Sequence, residues 1–106
     1  MPLEVKKIYI NGAYCDPVKG GKFTVYNPAT DEPICEAANG TAEDIELAVS
    51  AAKACLNGKN WGYNSTGAQR AVILRKLGEL ISARKDELAR LDSTDQGKPL
   101  RESLGV

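Results

Sequence analysis

The longest span with helical periodicity, Trp61 to Glu102, limits what the rest of this chain can fold into. Within it Ile73, Leu77, Leu80 and Ile81 recur at helical spacing and make one apolar face, while Arg70, Arg75, Lys76, Glu79, Arg84 and Lys85 project elsewhere. Ser65-Thr66 supplies the N-cap, because a hydroxyl oxygen can accept a bond from an orphan amide of the first turn. Around Ser82-Ala83-Arg84-Lys85-Asp86-Glu87 the pattern breaks, which predicts a second helix whose Leu88 and Leu91 continue the face. Gly97 is placed to close that helix in a left-handed cap, and Pro99 suits the first turn of a further segment, Leu100 to Val106.

Such a face needs something to lie on, and the residues before it predict a small β arm and one shorter helix. Ile8-Tyr9-Ile10-Asn11-Gly12-Ala13-Tyr14 sets an Asn-Gly pair between two β-prone runs, the pattern of a type I′ hairpin. Cys15 to Lys22 is a turn-rich connector. Phe23-Thr24-Val25-Tyr26 reads as a strand stopped by Asn27-Pro28, and Pro33 to Ala38 as its antiparallel return. Thr41 then caps a helix in which Ile45, Ala48, Val49, Ala52 and Leu56 form an apolar stripe that ends near Asn57-Gly58. Trp61, the only tryptophan, reads as a loop aromatic pinning the two helices together, with the wall of a binding site as its rival.

At 106 residues the chain is one domain at most. Fourteen basic residues balance fourteen acidic ones with no run of either sign, so nothing marks a nucleic-acid or anionic-membrane surface. No apolar stretch approaches the roughly 20 residues of a membrane span. The start, Met1-Pro2-Leu3-Glu4-Val5-Lys6-Lys7, lacks the apolar region of a secretory signal, which points to an intracellular protein. The three cysteines, Cys15, Cys35 and Cys55, are far apart and there is no histidine, so neither a zinc site nor a Cys-His or Ser-His pair can be built. Single intracellular thiols of this kind are expected to be small buried or half-buried side chains.

Several strings, taken together and in order, resemble a known family. Tyr9-Ile10-Asn11-Gly12, Val25-Tyr26-Asn27-Pro28-Ala29-Thr30, Thr41-Ala42-Glu43-Asp44-Ile45, Trp61, Gly67-Ala68-Gln69-Arg70, Lys85-Asp86-Glu87-Leu88-Ala89 and Asp95-Gln96-Gly97-Lys98-Pro99 are similar to the amino end of NAD(P)-dependent aldehyde dehydrogenases. The likeness is greatest to betaine aldehyde and aminoaldehyde dehydrogenases. It implies an α+β fragment, N-terminal β hairpins followed by two or three helices, belonging to the larger α/β (Rossmann-like) fold. Residues 1–40 would be the β arm, and residues 41–106 a helical segment packed on the cofactor-binding domain.

The resemblance further implies a homo-oligomeric enzyme that oxidises a small aldehyde to a carboxylic acid with NAD or NADP. In the family a cysteine attacks the aldehyde, hydride passes to the nicotinamide, and a glutamate activates the water that releases the acid. Those groups lie beyond Val106, so this chain is expected to hold neither catalytic nor cofactor-binding residues. Cys15, Cys35 and Cys55 match none of the family's nucleophile motif. Relatives carry a monovalent cation near this region, which implies the Tyr26 carbonyl and the Asp95 carboxylate as ligands. After Glu102 the relatives continue differently from Ser103-Leu104-Gly105-Val106, which argues against independent activity. The cytoplasm is the expected compartment, with peroxisome and plastid open, since a peroxisomal signal would sit at the far carboxyl end.

The competing reading is a stand-alone helical interaction module without catalysis, using its apolar stripes to bind a partner helix. It requires a compact fold, whereas a piece of a larger protein leaves apolar surface uncovered.

Overall fold

Residues 2–105 are described by a computed structural model. Met1, and Val106 at the end of the segment expected from Leu100, lie outside the described residues. Five strands come first: β1 (Val5–Lys6), β2 (Ile8–Ile10), β3 (Ala13–Cys15), β4 (Lys22–Tyr26) and β5 (Pro33–Ala38). Four helices follow: α1 (Ala42–Leu56), α2 (Gly67–Ala83), α3 (Lys85–Gln96) and α4 (Leu100–Ser103). The mixed α+β order expected from the sequence is the one observed.

The hairpin forms as the Asn-Gly pair demands, with Asn11 at φ 52° and Gly12 at φ 81°. Tyr9 lies opposite Tyr14 in the β2–β3 register, their rings 5.0 Å apart and edge to face. Such a cross-strand aromatic pair holds register, because a slip of one residue would separate the rings. β4 and β5 pair antiparallel as expected, and β5 also carries β1 on its other edge in parallel, giving the order β1-β5-β4. That first strand is absent from the sequence reading. Two residues are too few to display the alternation by which a strand is recognised.

Asp44 fastens the β arm to α1. Its Oδ1 accepts from the Val18 amide at 2.9 Å, and its Oδ2 from the Thr41 amide at 2.8 Å and the Thr41 hydroxyl at 3.1 Å. The side chain is thus 3 % exposed yet fully engaged, and one carboxylate both caps the helix and anchors the connector before β4. The Thr41 amide first, and then the Val18 amide, hold its carboxyl below the usual carboxylate range. A group with a depressed folded pKa contributes fully above its unfolded value and loses that contribution as the pH falls through the folded one. The Val18 amide should therefore be protected from exchange at neutral pH, keep that protection through the ordinary carboxylate range, and lose it only at more acid pH. In Asp44→Ala its protection factor should drop roughly tenfold or more at neutral pH; an unchanged factor would remove this role for Asp44.

α1 ends at Asn57, whose amide turns back to the Ala54 carbonyl at 3.2 Å. The loop to α2 then folds onto that end. Tyr63 N–H donates to the Leu56 carbonyl at 2.9 Å, Ser65 Oγ donates to the Gly62 carbonyl at 2.8 Å, and Arg70 Nη1 donates to the Ser65 carbonyl at 2.6 Å. Half-buried Trp61 borders Val49, Ala52 and Leu56 on one side and Ser65 and Arg70 on the other, between the end of α1 and the start of α2. Thr66 caps α2 reciprocally with Gln69: Thr66 Oγ1 accepts from Gln69 N–H at 3.2 Å, and Gln69 Oε1 from Thr66 N–H at 2.8 Å. The break expected at residues 82–87 falls at Arg84. Gly97 closes α3 at φ 74°, and α4 folds back on α3 with Ser93 and Ser103 hydroxyls 2.8 Å apart.

No central core forms. Ala89 and Pro17 are the buried apolar residues among those described. The expected face of α2 exists but stands open, with Ile73 at 47 % and Leu80 at 53 % exposure. Ile45, Val49 and Leu56 of the α1 stripe are exposed as well. Cys15 and Cys35 are half-buried as expected, but Cys55 is exposed, because the α1 surface it shares is uncovered. The radius of gyration is 17.3 Å and the extents are 48 × 40 × 20 Å, against about 13 Å for a compact domain of this length. The compact stand-alone module is therefore not what these residues make.

Candidate functional site

The two residues singled out as cation ligands lie at neighbouring corners. Tyr26 ends β4, where the register shifts: Val25 faces Cys35 but Tyr26 faces Pro33, so β5 carries Ile34 as an extra residue. A bulge of this kind bends the strand end and re-aims the groups beyond it. The turn that follows is closed by its own bonds. Asn27 N–H donates to the Glu32 carbonyl at 2.9 Å, Asp31 N–H to the Asn27 carbonyl at 2.8 Å, and Ala29 N–H to Asn27 Oδ1 at 2.9 Å. The Asn27-Pro28 corner is thereby rigid.

Asp95 sits in the last turn of α3, just before the left-handed Gly97. Gly97 lies against the Asn-Pro corner, so that a Cβ there would come 2.9 Å from Pro28 Cγ. A side chain at residue 97 would push the corner away. The turn after Tyr26 and the helix end after Asp95 are thus held together, and Asp95 shares with Val25, Ile34, Leu88, Leu91 and Lys6 a cavity of about 430 Å³ between the sheet and α3. Cys35 and Asp92 complete its lining.

The carboxylates here differ in their company. Asp92 pairs with Lys98 Nζ at 2.5 Å across the Gly97 turn, and that ammonium holds its carboxyl below the ordinary range. Asp95 forms no ion pair among the described residues. Among the described residues no three His, Cys, Asp or Glu side chains gather as a polydentate metal site.

Lys6 and the Asp92–Lys98 pair were not anticipated from the sequence. Lys6 arrives with the unforeseen β1, and the ion pair spans six positions across a turn, a spacing outside the helical i, i+3 and i, i+4 pairs.

The family-wide sequence pattern described as "Aldehyde dehydrogenase family" matches residues 14–105. The chain belongs to the aldehyde dehydrogenase family. It is 36% identical over 107 residues to a chloroplastic betaine aldehyde dehydrogenase of Beta vulgaris, an alignment covering 98% of this chain and 21% of that protein. It is 43% identical over 101 residues to aminoaldehyde dehydrogenase 2 of Zea mays, covering 92% of this chain and 20% of that one. Among solved structures, an aldehyde dehydrogenase from Bacillus cereus in complex with NAD+ superposes with a TM-score of 0.89 at 36% identity, over 96% of this chain and 21% of its own. The chain spans about a fifth of the length of the curated relatives it matches. No helix among the described residues is long and apolar enough to cross a membrane.

Proposed function

We propose that these residues are the amino-end part of an NAD(P)-dependent aldehyde dehydrogenase acting on betaine aldehyde or an aminoaldehyde. The observation that carries this reading is the family match over residues 14–105, with betaine aldehyde and aminoaldehyde dehydrogenases among the relatives. In the whole enzyme NAD or NADP would take up the hydride of the aldehyde. In this reading the described residues take no chemical step. Their work is architectural: residues 1–40 form the arm, and the open faces of α1 and α2 pack on the cofactor-binding domain. The whole enzyme is a homo-oligomer of the cytoplasm, with the plastid as alternative because the Beta vulgaris relative is named chloroplastic.

Residues 1–106 alone, incubated with NAD and an aminoaldehyde, should produce no reduced cofactor. Reduction proportional to the amount of chain would overturn this division of labour.

The Tyr26 carbonyl and the Asp95 carboxylate are the contribution of these residues to a monovalent-cation site. Support comes from the Pro28–Gly97 contact, which holds their two corners together, and from the absence of an ion-pair partner for Asp95 among the described residues. In the complete enzyme potassium should raise the melting temperature, and Asp95→Ala should abolish that dependence. A potassium effect of full size in Asp95→Ala would remove the residue from the site.

A further inference from the structure

We draw no further inference here: the strongest candidate, the unpartnered apolar face that Ile73, Leu77, Leu80 and Ile81 form on α2, carries nothing beyond the packing already proposed, because nothing in the structure shows what else covers it.

Discussion

Leu77→Gln should be nearly neutral in the isolated chain and strongly destabilising in the complete enzyme. In residues 1–106 the Leu77 side chain is 51 % exposed, so exchanging it for an amide of similar reach should change stability by only about 0.5 kcal/mol, the range of surface substitutions. Binding of a hydrophobic dye such as ANS should fall, because the substitution interrupts the patch that Ile73, Leu80 and Ile81 share with it. In the complete enzyme the same position would face the cofactor-binding domain. There the lost apolar contact alone would cost about 2–5 kcal/mol, and the buried amide would add its own desolvation. Dye binding and circular dichroism on the short chain, beside thermal denaturation of the long one, read both arms. Loss of helix in the short chain would show that α2 is already packed, and a small effect in the long enzyme would defeat the proposed docking of this face.

Gly62→Ala is expected to unlock the loop between α1 and α2. Gly62 sits at φ +90°, and a Cβ there would lie 2.5 Å from the Leu56 Cα and overlap the Leu56 carbonyl oxygen still more closely. The obstacle is backbone, which cannot swing aside as the tip of a flexible side chain would. The left-handed conformation alone costs an L-residue on the order of 1–3 kcal/mol, and relieving the overlap requires the loop to leave the end of α1. The bond from Tyr63 N–H to the Leu56 carbonyl would then break, along with the Ser65 Oγ bond to the Gly62 carbonyl. Because Trp61 is the only tryptophan, its emission should shift to the red and its accessibility to quenchers should rise, while Tyr63 and Ser65 amides lose protection from exchange. Native Trp61 fluorescence in Gly62→Ala would show that the loop tolerates a side chain there.

These two positions illustrate how unevenly the molecule could be read beforehand. The α2 face was visible as a pattern, yet the pattern says only which side of a helix is apolar and is silent on what covers it. Gly62 has no neighbour-based signature as a single glycine in a loop; its necessity arises from Leu56, which the loop meets only after folding back. Of the candidate cation ligands, Tyr26 and Asp95 came from a resemblance, and the contact between their corners through Pro28 and Gly97 lies 69 positions apart in the chain. No local rule connects them.

What the sequence determined by itself is the local grammar of the chain. The Asn11-Gly12 turn, the Thr66–Gln69 capping box, the interruption at Arg84 and the left-handed stop at Gly97 each depend on dihedral preferences and hydrogen bonds within a few residues. The ordered strings also placed it in its family. The tertiary structure alone decided the parallel β1–β5 pair, the Asp44 bond to Val18, the Asp92–Lys98 bridge and the exposure of both apolar stripes. Those features depend on which distant groups come within about 3–4 Å, and burial depends further on how much surface is available to cover a face. Local propensity carries no information about either.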